Sequence, residues 1–319
     1  MSDSKPHTAL SFTRKLLPFA DAASTDLPLS QLLRLSLFQI SVGMATVLLL
    51  GTLNRVMIVE LGVAATIVAL MVAIPVLIAP FRAALGFKSD NYRSAIGWKR
   101  VPFIWFGSLW QMGGLAIMPF ALIVLSGDQT IGPSWAGEVL AGLAFLMTGL
   151  GLHMTQTAGL ALASDRAPKD KRPRVVALLY VMFLLGMGLS ALIIGYLLKD
   201  FSNLRLIRVV QGAALFGLVL NLVALWKQEH VKPMPKGQRV EPPPMFLEAW
   251  ADFINKGDNA RLILVVFIGT LAYNMQDVLL EPYGGQVLKL SVSETTWLTV
   301  AWAGGALFGF GIAAQRLNK

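Results

Sequence analysis

Long apolar blocks of about 20 residues, separated by short polar segments, dominate the hydrophobic pattern of this chain. A helix of that length crosses a hydrocarbon core of about 30 Å, so each block predicts one membrane-spanning helix. The pattern predicts eight spans, near residues 31–54, 63–84, 101–126, 136–163, 175–198, 204–227, from 261 onward, and 293–314. Composition agrees, because 55% of the 319 residues are hydrophobic and 14% are charged. We therefore expect an all-α polytopic membrane protein.

The polar segments divide the chain into four parts. Residues 1–30 are expected to form a cytoplasmic arm, residues 31–227 a six-span membrane half, residues 228–260 a cytoplasmic linker, and residues 261–319 two further spans. The linker contains a proline-rich segment and then an amphipathic stretch, which predicts a helix at the membrane surface. No cleavable signal peptide is visible at the start of the chain.

The basic residues predict the orientation of the spans. Most of the 27 Lys and Arg residues fall on one side of the predicted bundle, and the positive-inside rule assigns that side, with both termini, to the cytoplasm. The basic residues of the other side are Arg55, Lys199, Arg205, Arg208 and Lys289. The net charge of +9 reflects this topology and an attraction to the anionic lipid bilayer. We expect no nucleic-acid partner, because the basic residues lie in short loops between spans.

Two acids interrupt the seventh apolar block, within residues 269–286. Asp277 and Glu281 are four residues apart, so a helix places both carboxylates on one face. Acids inside a membrane span are costly and usually face a bundle interior, a cavity or a partner. A short internal repeat relates residues 54–58 to residues 276–280 and sets Asp277 opposite Arg55. We predict an extracytoplasmic clasp in which Arg55 pairs with Asp277 or Glu281; the alternative is separate charges that reach interfacial water.

Six predicted spans, a long linker and then further spans resemble the layout of the major facilitator superfamily. Residues 86–100 are similar to that superfamily's loop signature of glycines, an acid and basic residues, with extra residues before Gly97. The resemblance implies a cytoplasmic latch, in which charged pairs hold the ends of neighbouring helices together in one arrangement of the domains. The candidate latch residues are Asp90, Arg93, Lys99, Arg100, Asp165 and Arg166. The alternative is solvated loop charge that serves topology alone.

Four separated blocks resemble the PucC/LhaA family: residues 53–61, 151–168, 171–182 and 273–285. The resemblance implies a membrane assembly factor for bacterial light-harvesting antenna complexes that handles bacteriochlorophyll or a precursor. It implies antenna polypeptides and pigment-synthesis or reaction-centre proteins as partners, and a place in the bacterial inner, intracytoplasmic photosynthetic membrane. It leaves open which antenna is served. That family has about twelve spans, so the chain matches a major-facilitator-like first half and two helices of an incomplete second half.

His153 is the one histidine inside a predicted span. A neutral imidazole is a competent metal ligand, including for the magnesium of a chlorophyll. Thr155 and Gln156 add polar groups beside it, and Gln156 shares its helix face. Because the resemblance implies pigment handling, these three residues are candidate pigment-binding residues, and no other metal is expected. The alternative is a histidine that is hydrogen-bonded to a neighbouring helix.

No catalytic constellation is visible in the sequence. The chain has no cysteine, no phosphate-binding P-loop, no paired histidines at metal-ligand spacing and no G-x-S-x-G nucleophile motif. We therefore do not expect an enzyme. A proton-coupled small-molecule transporter of the major facilitator type, with Asp277 and Glu281 as proton carriers, is the alternative to the assembly factor.

Overall fold

The computed structural model describes residues 22–24, 27–94, 97–127, 133, 135–229 and 245–317 of the chain. For Tyr273, Asn274, Asp277 and residues 313–317 it describes the backbone alone. Most of the predicted N-terminal arm and the proline-rich part of the predicted linker therefore lie outside the described residues.

Ten helices follow one another in the described part of the chain. They are α1 (Leu29–Val59), α2 (Ala65–Ile78), α3 (Phe81–Asn91), α4 (Val101–Leu125), α5 (Ala136–Arg166), α6 (Arg172–Leu197), α7 (Asn203–Leu225), α8 (Phe246–Asn255), α9 (Asn259–Gln286) and α10 (Val292–Leu317). Among the described residues, seven segments are long and apolar enough to cross a membrane: α1, α2 with α3, α4, α5, α6, α7 and α10. The predicted seventh span is α9, whose shorter stretch Asn259–Ala272 is apolar. The expectation of an all-α polytopic membrane protein is confirmed.

Span one, α1, changes its helical geometry in the middle. An α-helix over Leu29–Thr46 continues into a π-helical segment over Val47–Leu53 and returns to an α-helix over Asn54–Val59. π-helical geometry is rare and often found at functional sites. Gly51, inside this segment, lies against the carboxylate of Glu281 in α9, and a side chain at Gly51 would overlap that carboxylate. Span one therefore approaches span seven closely at this acid.

Span two is broken at Pro80. The helix α2 ends at Ile78 and α3 begins at Phe81. At the break, the N–H of Ala79 donates to the carbonyl of Val76 at 3.1 Å instead of to the carbonyl of Pro75. The carbonyl of Pro75 is therefore free to accept a hydrogen bond from another span.

Close helix contacts at glycines build the six-span half. In α5, a Cβ on Gly151 would lie 2.5 Å from the carbonyl oxygen of Gly107 in α4. In α6, a Cβ on Gly186 would lie 2.5 Å from the Cα of Ile40 in α1. Membrane helices associate through such van der Waals packing between small residues. Span one contacts α5, α6, α7 and α9. In its most apolar stretch 78% of the residues are buried, against 22% in the corresponding stretch of span two. The core of the bundle therefore surrounds span one.

The helix α8 carries an aromatic face beside the end of span two. Phe246 stacks on Trp250 with 6.0 Å between ring centroids, and it meets Phe87 of α3 edge-on at 5.6 Å. No residue of α8 is buried. An amphipathic helix with this exposure is typical of a surface helix, and its contact with the membrane surface stays a prediction.

Candidate functional site

A buried arginine joins the ends of spans two, three and four. The side chain of Arg100, directly before α4, is 4% exposed. Its guanidinium pairs with Asp90 at the end of α3, and its Nε donates to the carboxylate of Asp165 at the end of α5 at 3.0 Å. A further nitrogen donates to Oγ of Ser89 at 2.5 Å. Three of the predicted latch residues therefore meet at one guanidinium, and we call Ser89, Asp90, Arg100 and Asp165 the Arg100 cluster.

A carboxylate that follows span six caps the start of span three. Glu229 accepts the backbone N–H groups of Lys99 at 2.9 Å and of Arg100 and Val101 at 3.1 Å each. These amides have no partner within the helix, and the helix dipole favours an anion at this position. Glu229 is not among the latch residues predicted from the sequence. Its sequence signal is an acid that follows the sixth apolar block within four residues.

The remaining predicted latch residues surround the same region. Arg166 donates to Oε1 of Gln228 and, at 2.7 Å, to Oε1 of Gln31 near the start of α1. A neighbouring cavity of about 280 Å³ is lined by charged side chains, among them Arg93, Lys99, Asp165, Arg166 and Glu229. Spans one, two, three, four and six are thus connected at one end of the bundle.

The Arg100 cluster pairs one enclosed cation with two partly exposed anions. The carboxylates of Asp90 and Asp165 are 53% and 45% exposed, so water reaches them, whereas the guanidinium of Arg100 is enclosed. Charge-assisted hydrogen bonds of this kind can form in one arrangement of helix ends and break in another. That the pairs open during function stays a prediction.

At the opposite end of the bundle, span one is bonded to backbone carbonyls of spans seven and eight. Nδ2 of Asn54 donates to the carbonyl of Val278 in α9 at 2.8 Å. Arg55, which is 2% exposed, donates to the carbonyl of Leu290 between α9 and α10 at 2.8 Å. The carboxylate partner of Arg55 is Glu60, at 2.6 Å. Span one is therefore held to the last two spans without an ion pair between Arg55 and Glu281 in the described structure.

Glu281 lies near Arg55 but is bonded elsewhere. Its side chain is 1% exposed, and its Oε1 accepts a hydrogen bond from Oγ1 of Thr299 in α10 at 2.8 Å. Its Oε2 has no partner among the described residues, and a cavity of about 30 Å³ lies beside it. That volume has room for about one water molecule. The side chain of Asp277 lies outside the described residues, so its pairing with Arg55 stays a prediction.

His153 is hydrogen-bonded to span two. Its Nε2 lies 2.9 Å from the carbonyl of Pro75, which the break at Pro80 leaves free. A carbonyl only accepts, so in a neutral imidazole Nε2 carries the proton and Nδ1 the lone pair. That Nδ1 is buried and has no partner among the described residues. A Cβ on Gly149 would lie 2.7 Å from the ring of Pro75. The surroundings of His153 therefore do not fit a tetrapyrrole in this structure.

Thr155 and Gln156 face neighbouring helices. Nε2 of Gln156 donates to Oε1 of Gln39 in span one at 3.4 Å, a long hydrogen bond. Thr155 is fully buried where α5 meets α4. Arg82 of α3, which is not among the predicted site residues, donates to Oγ1 of Thr157 at 2.9 Å. The polar residues around His153 thus connect spans one, two and four.

Comparison with known proteins finds the same family that the four sequence blocks resemble. The model of the PUCC protein family matches residues 52–319. The chain is 68% identical over 303 residues to an uncharacterized protein in the puhA-bchM intergenic region of Rhodobacter capsulatus, covering 95% of this chain and 64% of that protein. It is 57% identical over 310 residues to Protein PucC of Rhodovulum sulfidophilum, covering 96% and 68%. A more distant relative, 28% identical over 281 residues, is the bacteriochlorophyll synthase 44.5 kDa chain of Rhodobacter capsulatus, with 88% and 62% covered.

These matches extend over most of the chain. The chain spans about two thirds of the length of the curated relatives that it matches. No solved structure matches it. The family expected from the four sequence blocks is confirmed, because both the family model and relatives of more than half identity cover those blocks almost entirely. The chain belongs to the PucC protein family.

Proposed function

We propose that this protein is a membrane assembly factor for bacterial light-harvesting antenna complexes. The observation that carries the proposal is the family match over residues 52–319. The name of Protein PucC of Rhodovulum sulfidophilum and that of a bacteriochlorophyll synthase chain among the relatives support a role in photosynthesis. The protein would act in the bacterial inner, intracytoplasmic photosynthetic membrane.

The described geometry supports holding a partner better than moving a small substrate. Beside Glu281, between spans one, five, seven and eight, the cavity is about 30 Å³, enough for about one water. Asn54 and Arg55 tie span one to spans seven and eight at one end of the bundle. The Arg100 cluster ties spans two, three and four at the other end. Helices joined near both ends of the bundle in this way can hold a partner helix along their outer surfaces.

Among the residues that the structure describes, span seven offers a long exposed apolar surface to an antenna polypeptide. None of its described side chains from Arg261 to Leu280 is buried. Six apolar side chains at its start are between 56% and 62% exposed: Leu262, Leu264, Val265, Val266, Phe267 and Ile268. Membrane helices associate by van der Waals packing, so a single apolar helix of an antenna polypeptide can pack along this span. We propose that contact as the holding site.

Bacteriochlorophyll, or a precursor, is handled in this proposal together with the antenna polypeptide and not at His153. The Nε2 atom of His153 is bonded to Pro75 and its Nδ1 atom is buried. An axial ligand from His153 would require spans two and four to separate. In this proposal the antenna polypeptide contacts the pigment, so spans two and four need not separate.

Deletion of the gene in its host tests the proposed function. We expect antenna absorbance in isolated membranes to fall and the wild-type gene to restore it. Val265→Trp on span seven should restore it poorly, because the bulky ring disturbs the holding site. Val219→Trp on span six, 45% exposed at the wild-type residue, is the matched control and should restore it fully.

Two results would overturn the proposal. One is unchanged antenna absorbance in the deletion strain. The other is uptake of a small molecule driven by a pH gradient in proteoliposomes, without antenna polypeptides in the purified protein. The second result would favour the proton-coupled transporter.

A further inference from the structure

A groove of about 940 Å³ opens between spans five and six. It lies at the end of the bundle that the charge distribution predicts to be extracytoplasmic. The helices α6 and α7 both pack on α1 but contact each other little, and Met44 of α1 lines the groove between them. Its walls are mostly apolar and include Ile193, Ile194, Leu197, Val209, Ala213 and Phe216.

Three cationic side chains line this groove: Lys199, Arg205 and Arg208. The single acid of the lining is Asp200, which pairs with Arg205 at 3.2 Å and is 84% exposed. The helix α7 begins at Asn203, so its positive dipole end lies in the same region. The groove therefore combines apolar walls with a net positive end.

These cations lie on the side of the membrane where basic residues are few. The predicted extracytoplasmic side carries five Lys or Arg residues, namely Arg55, Lys199, Arg205, Arg208 and Lys289. Three of the five line one groove, although the positive-inside rule disfavours basic residues on this side. These three lie within one short stretch, residues 199–208, and a bound anion would stabilise their charges on this side.

We propose that the groove binds an anionic phospholipid. The phosphate lies among Lys199, Arg205 and Arg208, and an acyl chain follows the apolar walls. Ile193 and Phe216 are 58% and 54% exposed, so the walls are open to the hydrocarbon from which a lipid enters. The described lining offers no histidine to the magnesium of a tetrapyrrole. This inference does not rest on the proposed role in antenna assembly.

Lipid titration of the purified full chain tests the site. Native mass spectrometry with phosphatidylglycerol and with phosphatidylcholine gives the two affinities. We expect tighter binding of phosphatidylglycerol, and Arg208→Gln or Lys199→Gln should weaken it roughly fivefold each, since a cation near a lipid surface contributes about that factor. Phosphatidylcholine binding should change little. Lys289→Gln, an exposed cation on the same side outside the groove, is the matched control.

A second variant tests the apolar part without changing charge. A Cβ on Gly212 meets no atom within 4 Å, so Gly212→Trp can be accommodated and fills the groove. It should lower binding of both phospholipids. Gly212→Trp also decides the matter if a charge variant fails to fold.

The proposal is wrong if both phospholipids bind equally to the wild type, or if Lys289→Gln weakens phosphatidylglycerol binding as much as the groove variants. It is also wrong if Gly212→Trp removes a co-purified pigment while phosphatidylglycerol binding is unchanged. That last outcome would assign the groove to a tetrapyrrole.

Discussion

Arg100 donates from Nε to the carboxylate of Asp165 at 3.0 Å and so joins the start of span three to the end of span four. The cation is 4% exposed and the anion 45%. Water can therefore solvate Asp165 when the pair is lost, but it cannot reach Arg100. Removing the cation and removing the anions should therefore lower the free energy of unfolding by different amounts.

Removal of the acids should destabilise the protein more than removal of the arginine. The double substitution Asp90→Asn with Asp165→Asn leaves a buried unpaired cation. We expect the free energy of unfolding to fall by about 3–5 kcal/mol. Arg100→Gln leaves two half-exposed carboxylates and should cost about 1–2 kcal/mol. Thermal unfolding in detergent measures both. Asp252→Asn, which breaks an exposed pair with Lys256, should change stability by less than about 1 kcal/mol. An inverted order would show that the cation is solvated.

Gly151→Ala should push spans three and four apart. The added Cβ would lie 2.5 Å from the carbonyl oxygen of Gly107 and 2.7 Å from the Cα of Gln111, and backbone atoms move little. We expect a loss of about 1–3 kcal/mol, as for overpacked cores. Gly212→Ala is the matched control in open space and should be neutral or stabilising by up to about 1 kcal/mol. Equal melting temperatures for the two variants would contradict the close contact.

His153→Ala should weaken the bundle without changing pigment content. It removes the hydrogen bond to the carbonyl of Pro75, which we expect to cost about 1 kcal/mol. The absorbance spectrum and the melting temperature of the purified variant report the two effects separately. His153→Gln retains a donor for Pro75 and is the control. A loss of pigment at unchanged stability would restore the ligand role that the sequence predicts.

The predicted pairing of Arg55 with Asp277 can be decided by a double-mutant cycle. Arg55→Gln and Asp277→Asn should show a coupling of about 0.5–3 kcal/mol if the two groups are in contact. The same cycle with Glu281→Gln should show a smaller coupling than the cycle with Glu60→Gln, because Glu281 is hydrogen-bonded to Thr299 and makes no direct ion pair with Arg55. The cycle with Glu60→Gln is the positive control, since Glu60 is the observed partner of Arg55. Additivity with Asp277→Asn would remove that acid from the predicted clasp.

Spans and charged helix ends could be predicted from the sequence because both depend on local pattern. The choice of Arg100 among the basic residues of its loop could not be predicted. Arg93 and Lys99 are equivalent to it in charge, and the choice depends on which guanidinium lies between Asp90 and Asp165 in space. Glu229 was missed because an acid just after the sixth apolar block does not indicate which backbone amides it binds.

The partners of the buried polar groups were less predictable. A proline in span two indicates a break, but not that His153 takes the carbonyl it leaves free. Arg55 could likewise be expected to form an ion pair with an acid on another span. Its actual carboxylate partner, Glu60, is five residues away in sequence. Local partners of this kind compete with the long-range pair that a repeat pattern suggests.

The π-helical segment Val47–Leu53 gives span one two registers. A π-helical turn accommodates one residue more than an α-helical turn, and one residue corresponds to about 100° of rotation. A change of this segment to α-helical geometry at unchanged length would keep Leu29–Thr46 in phase with α6 and α7. It would rotate Asn54 and Arg55 by about 100° away from the carbonyls they now reach. The contacts of span one with α6 and α7 and its contacts with α9 and the α9–α10 loop therefore depend on different rotations about the same helix axis.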